Sequence, residues 1–233
     1  MSETMAQLRK VSTATLTMVL IKNGIRSSWL RGPKPLDPID ERVVGPAFTV
    51  RFVPGRDDLC DPASYAADNA LRDAIEAAPA GSVLVIDGRG HPDAGTLGDI
   101  LIARLRERGV MAAVTDSPVR DVDEIRKVGL PVLACGVAAP PSIAGLAYAG
   151  YGDMIGCGGV AVCPGDLMVC DNDGAVVIPA ALAAKVAAEA IQQELFETYV
   201  QERVQSGASV MGLYPPDEQC LRDFERWTQS LDR

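Results

Sequence analysis

The chain has 233 residues, 48% of them hydrophobic, and its 22 Lys and Arg stand against 31 Asp and Glu, for a net charge of −9 at neutral pH. That is ample apolar material for a core and argues against disorder on a large scale. A nucleic-acid surface needs clustered cations to displace counterions, whereas these are scattered, so no nucleic acid is expected as a partner. No charged-then-apolar leader opens the sequence and no apolar run is long enough to cross a bilayer, so the expected location is cytoplasmic, with no membrane partner.

Residues 3 to 22 set Leu8, Val11, Leu16, Val19 and Leu20 near helical spacing before Asn23-Gly24, which predicts one covering helix. From Gly45 to Val53, Phe48, Val50 and Phe52 alternate with Thr49 and Arg51 as in a half-buried strand. Asp61-Pro62 opens a predicted helix with Ala67, Ala70, Leu71, Ala74 and Ala78 on one side, ended by Pro79-Ala-Gly81. The densest stretch follows, from Gly81 to Gly136. It reads as a strand ending at Asp87, a loop through Gly95, a helix from Leu97 to Arg108, a strand at Val110 to Val114, a turn, a helix headed by Arg120-Asp121, and a third apolar run ending at Cys135. Two helix N-termini thus open at the ends of successive strands, where free N–H groups attract carboxylates and phosphates.

Beyond Gly136 comes an extended connector through Ser142. Three short strands, at Val160 to Cys163, Leu167 to Cys170 and Ala175 to Ile178, predict a β-meander packed behind the αβ units. A long helix over about 180–206 carries Leu182, Val186, Ile191, Leu195, Tyr199 and Val204 as its stripe and leads into a short amphipathic tail. Its acids Glu194, Glu197 and Glu202 read most simply as a solvated face. With neither repeat nor boundary visible, the expectation is one α/β domain over residues 1–233 with mixed sheets. A doubly wound nucleotide fold is disfavoured, because Gly88-x-Gly90 has Asp93 where the third glycine belongs.

The six cysteines show no Cys-x-x-Cys spacing and sit mostly in apolar runs, which predicts free, buried thiols. His91 is the only histidine, in a Gly/Pro loop, and no Gly-x-Ser-x-Gly elbow exists, so Ser-His or Cys-His catalysis is disfavoured. The charges of interest are Asp99, Arg120, Asp121 and Glu124, with twenty residues between Asp99 and Arg120. An Arg beside an Asp at a strand-to-helix turn can divide the work, the guanidinium gripping a substrate carboxylate while the Asp holds a hard cation. The plainer account makes Asp121 with Glu124, and Thr96 with Asp99, helix-capping pairs.

The runs Val-Leu-Val-Ile-Asp87-Gly88, Leu97-Gly-Asp99-Ile-Leu101, Arg108-Gly109-Val110 and Val119-Arg120-Asp121-Val-Asp-Glu124-Ile resemble the RraA-like proteins, and the likeness extends from Gly45 to the Pro164-Gly165-Asp166 turn. The resemblance implies a layered β/β/α fold of swivelling-domain type and, through the family's enzyme branch, a 4-hydroxy-4-methyl-2-oxoglutarate aldolase able to decarboxylate oxaloacetate. It implies pyruvate bound by Gly98, Asp99, Ile100, Leu101 and Arg120, catalytic roles for Asp99 and Arg120, and Mg2+ or Mn2+ held by Asp121. It further implies a small 2-oxo acid substrate, a homotrimer or hexamer, and a glutamate of the long helix reaching a neighbour's site. Other RraA-like proteins restrain ribonuclease E without catalysis; that branch lacks the acid after the arginine, which Asp121 supplies here. A methyltransferase label borne by relatives finds no methyl-donor loop. Ser117-Pro118 and the loop from His91 to Gly95 depart from the aldolase pattern beside the expected pocket.

Overall fold

The computed structural model of the protein describes residues 2–58, 60–63 and 71–231. In chain order it forms α1 (Ser2–Leu8), α2 (Thr13–Lys22), β1 (Lys34–Pro35), β2 (Val43–Pro54), α3 (Leu71–Ala77), β3 (Val83–Asp87), α4 (Asp99–Glu107), β4 (Ala112–Thr115), α5 (Val122–Val128) and β5 (Val132–Ala134). There follow β6 (Leu146–Tyr151), β7 (Ile155–Cys157), β8 (Val160–Val162), β9 (Leu167–Asp171), β10 (Gly174–Ile178), α6 (Ala183–Gln205) and α7 (Glu218–Leu231).

An eight-stranded curled sheet runs β1-β5-β4-β3-β2-β9-β10, with β6 paired to β2 off that path. The twelve residues of β2 serve three partners in succession: Val43 to Pro46 pair antiparallel with β9, Ala47 to Arg51 pair parallel with β3, and Val50 to Pro54 pair antiparallel with β6. The strands β3, β4 and β5 are parallel neighbours joined through α4 and α5, the crossover that parallel pairing requires. Every residue of β3 is buried, which explains its unbroken apolar run: both faces are covered.

Alternate residues divide between two cores. Leu84, Ile86, Ala113 and Val132 face Ile102, Leu105 and Ile125 of α4 and α5. Val83, Val85, Val114 and Leu133 face the hairpin β7-β8 and the inner side of β9-β10. The outer side of that second β layer, through Leu167, Val169, Val176 and Ile178, packs on Leu16, Leu20, Val186 and Ala190 of α2 and α6. The result is helix, sheet, β layer, helix.

Several expectations are corrected. The N-terminal helix is two helices, because Ser12 breaks the run: its backbone is extended and its hydroxyl accepts the Thr15 N–H at 3.0 Å, capping α2. The three late strands are not a meander, since β8 pairs only with β7 in a separate two-stranded sheet while β9-β10 joins β2. The stripe of the long helix holds at Val186 and Tyr199, which are buried, but Ala187, Ala190, Phe196 and Val200 share the buried face and Val204 is exposed. Its acids are not all solvated. Glu197 accepts the Thr15 hydroxyl at 3.0 Å and Glu194 the Ser12 N–H at 3.4 Å, so both are engaged by α2 of the same chain. Of the cysteines, Cys157, Cys170 and Cys220 are buried but Cys135 and Cys163 are exposed. The predicted helix from Asp61 falls partly on residues 64–70, outside the described residues; α3 is its described end. No described helix is long and apolar enough to cross a membrane.

Candidate active site

The loops after β3 and β4 leave the same edge of the parallel strands, Ile86 standing beside Thr115. Three backbone bonds stitch them and the chain after β5 together: the N–H of Thr96 donates to the Pro118 carbonyl, that of Arg120 to Leu97, and that of Gly95 to Pro140, each at 2.9 Å. Thr96 turns its hydroxyl inward to Thr115, at 3.1 Å, and to the Pro118 carbonyl, at 3.2 Å. It therefore fastens the two loops and is not a helix cap.

Glycine at two positions makes room for Arg120. A Cβ on Gly95 would stand 3.1 Å from both Cβ and Cγ of Arg120, and one on Gly98 would stand 2.8 Å from Asp121 Oδ2. The backbone of Gly98, φ −121° and ψ 179°, is open to any residue, so glycine is needed there for space. Gly98 is also the N-cap of α4 and offers no side chain to it, and the first bond back to its carbonyl comes from Ile102, at 3.1 Å. The N–H groups of Asp99, Ile100 and Leu101 accordingly have no partner within the helix, and the positive end of its dipole stands behind them.

Asp121 precedes α5 in a left-handed conformation, φ 60° and ψ 40°, and its side chain makes no cap bond. An ordinary L-residue there costs about 1–2 kcal/mol, less for Asp, whose short polar side chain tolerates it. The capping account thus fails at both helices. The carboxylate instead accepts the Arg120 Nε–H through Oδ2 at 3.0 Å, with both side chains nearly two-fifths exposed. That bond uses one of the five N–H groups of the guanidinium and leaves its far edge free for a carboxylate. Glu124 belongs elsewhere, bound to Lys127 Nζ at 2.6 Å.

All six residues singled out from the sequence, Gly98 to Leu101 with Arg120 and Asp121, line one cavity of about 300 Å3, closed by Leu71, Arg72, Pro141 and Ser142. Gly95 and Arg72 were not foreseen. A glycine three positions before another at a helix start is a visible hint of close approach, whereas nothing local marks Arg72.

Among the described residues no trio of His, Cys, Asp or Glu forms a closed cage for a cation. Asp99 and Asp121 do put two carboxylates on one cavity, and only Oδ2 of Asp121 is hydrogen-bonded. Magnesium binds through one or two carboxylates and keeps its remaining positions for water and substrate oxygen, so this donor set fits it.

The loop departures lead to a neighbouring concavity of about 640 Å3 lined by Arg31, Asp87, Arg89, His91, Asp116 and Pro118 among others. Ser117 is buried beneath it, donating to the Gly88 carbonyl at 2.8 Å where only a glycine fits. Asp116 pins two glycines, accepting the N–H of Gly88 at 2.7 Å and of Gly158 at 3.1 Å. Burial pushes its carboxyl above the usual value, and those same N–H groups pull it partly back.

The model of the RraA-like family, Aldolase/RraA, matches residues 13–177. Over 149 residues the chain is 36% identical to a Halalkalibacterium halodurans protein provisionally named a 4-hydroxy-4-methyl-2-oxoglutarate aldolase, the match covering 63% of each. Over 224 residues it is 28% identical to protein DlpA of Legionella pneumophila, covering 96% of this chain and 34% of that one. The chain therefore spans less than two thirds of either relative. The crystal structure of Streptomyces coelicolor RraAS2, described as an unusual member of the RNase ES inhibitor RraA protein family, superimposes with a TM-score of 0.77 at 34% identity, covering 85% of this chain and 96% of that one. The expected mixed α/β fold is the one found.

Proposed function

Because this chain belongs to the RraA-like family, we propose that it is a divalent-metal-dependent lyase that cleaves a C–C bond of a pyruvate-containing 2-oxo acid and releases pyruvate. One observation carries the reading: the guanidinium of Arg120, the carboxylate of Asp121 and the amides at the head of α4, which have no partner within the helix, line a single cavity. The aldolase name of the Halalkalibacterium relative supports it at the level of reaction class.

In this reading the free edge of Arg120 and the N–H groups at 99–101 bind the pyruvyl carboxylate and orient the keto oxygen. Asp121 would hold magnesium or manganese; such an ion supplies Lewis-acid stabilisation of the enolate charge that bond cleavage leaves. Asp99 takes the proton from the C4 hydroxyl, directly or through a water, as the C3–C4 bond breaks and its electron pair moves onto the pyruvyl unit. A proton returned to C3 completes pyruvate. In decarboxylation of oxaloacetate the leaving fragment is carbon dioxide and no hydroxyl proton is removed, so Asp99 is then dispensable for bond breaking.

The test is pyruvate release from a panel of 4-hydroxy-2-oxo acids and oxaloacetate, with and without magnesium, for wild type and Asp121→Asn. Asparagine tolerates the left-handed backbone as aspartate does, so the variant should keep its fold while activity collapses or demands far more magnesium. Unchanged turnover by the variant would remove Asp121 from the site. A second reading, a regulatory protein of ribonuclease E type, rests on the likeness to RraAS2. Capture of ribonuclease E by an inactive wild type would favour it.

A further inference from the structure

The cavity holding Arg120 is lined by a second cation. Arg72, near the start of the described part of α3, lines it together with Leu71, and neither an ion pair nor a hydrogen bond engages the Arg72 side chain among the described residues. The acid one turn on, Glu76, is already committed to Arg104 at 2.8 Å and Arg108 at 3.2 Å. Apolar side chains line the same cavity, among them Leu71, Ile100, Leu101 and Pro141. Ile100 is 77% exposed at this mouth, an unusual placement for a large aliphatic side chain unless something covers it.

Charge counting sharpens the point. Arg72 and Arg120 balance Asp99 and Asp121, so an empty pocket is neutral, and a divalent cation leaves a surplus of two positive charges. A monocarboxylate answers half of that surplus; a dicarboxylate answers all of it. The volume, about 300 Å3, lies at the small end of ligand sites and exceeds what a three-carbon acid fills.

We propose that Arg72 is the specificity-determining residue of this site: it receives a carboxylate at the far end of the 2-oxo acid, whose carbon chain lies across Ile100 and Pro141 while Arg120 holds the pyruvyl end. The assignment rests on the proposed 2-oxo acid site and adds to it the means of choosing the distal group. Arg72 touches the substrate end remote from the chemistry, so its removal changes discrimination and leaves the pyruvyl half untouched.

The experiment uses two unreactive probes of one skeleton, 2-oxoglutarate and 2-oxopentanoate, which differ in a terminal carboxylate against a methyl group. Binding of each to the full chain in magnesium is measured by calorimetry for wild type, Arg72→Met and Arg72→Lys, with a thermal melt to confirm folding. Wild type should prefer 2-oxoglutarate at least tenfold. Arg72→Met should bring the ratio close to one chiefly by weakening 2-oxoglutarate, with much smaller changes for 2-oxopentanoate and pyruvate, and Arg72→Lys should restore part of it. A ratio unchanged by Arg72→Met, or a wild type that does not discriminate, overturns the role of Arg72. Failure of both probes and of pyruvate to bind overturns the 2-oxo acid site and this inference together. Discrimination that depends on Arg72 in a protein releasing no pyruvate from any substrate sustains Arg72 and refutes the lyase alone.

Discussion

Gly98→Ala is the sharpest probe of the site, because the structure separates what it does to the fold from what it does to the cavity. The backbone at Gly98 suits alanine, so the fold pays only for a poorer N-cap, about 1 kcal/mol. The new methyl group, however, lies 2.8 Å from Asp121 Oδ2 and 3.4 Å from Arg120 Cγ, inside normal contact for the first. The carboxylate is the end of a short side chain and swings away, breaking the 3.0 Å bond from Arg120 Nε. A charge-assisted hydrogen bond is worth about 1.5–3 kcal/mol, so pyruvate or metal affinity should fall about ten- to a hundredfold. Two measurements check this: the midpoint of thermal unfolding, expected to drop by only a few degrees, and the magnesium dependence of pyruvate release with pyruvate as competitive inhibitor. If Gly98→Ala matches wild type in both magnesium demand and pyruvate inhibition, the Arg120-Asp121 pair is not where the ligand binds.

The hydroxyl of Tyr148 is shielded and has no hydrogen-bond partner among the described residues, and burial, then Tyr151 and Asp73, push its pKa up to about 12. Tyr148→Phe should therefore unfold at an equal or higher temperature; a loss above about 1 kcal/mol would reveal a partner for the hydroxyl. Asp116 has its folded pKa raised above the ordinary 3.8, chiefly by burial. Its contribution to stability consequently declines as pH rises from that ordinary value through the folded one, and is flat above. Urea unfolding at pH 4 and pH 7 should show wild type losing stability relative to Asp116→Asn as pH rises, and parallel behaviour of the two proteins would count against a raised pKa. Finally, Val210 and Met211 between α6 and α7, and Leu221 and Leu231 on α7, are exposed, and light scattering is expected to report at least a trimer. A monodisperse monomer at micromolar concentration would leave those side chains without a covering subunit.

The central αβ units were legible because β3 and β4 are apolar on both faces and their helices begin at clear breaks, so period and punctuation agree. The site residues were legible for the same reason: the turn at 95–98 and the Arg120-Asp121 step stand at strand ends, and topology alone brings them together. Whether Asp121 caps a helix was not legible, since the left-handed backbone that turns its carboxylate toward Arg120 depends on loop bonds to residues more than twenty positions away. Arg72 was hidden because α3 meets α4 only in three dimensions. Among the strands, β6 escaped notice because Leu146-Ala-Tyr-Ala-Gly-Tyr151 lacks the β-branched residues that advertise a strand, and its pairing is dictated by the exposed flank of β2. The break at Ser12 was outvoted by an apolar spacing that happens to continue across it.

The two ends of the strand order also carry a consequence for assembly. At one border stands β1, only two residues long and half of it proline, with Lys34 beside it. At the other, β10 is overlaid by the backbone of 28–30, the Leu30 N–H donating to Ala175 at 2.9 Å and the Val177 N–H to Ser28 at 2.8 Å. A proline offers no N–H, a charged lysine resists a dry border, and an overlaid edge has no free groups to offer, so neither end is a template on which another chain can lay down a strand. Any association of copies at these ends must run through shape and side-chain chemistry, since the backbone there cannot extend the sheet into open-ended β aggregation.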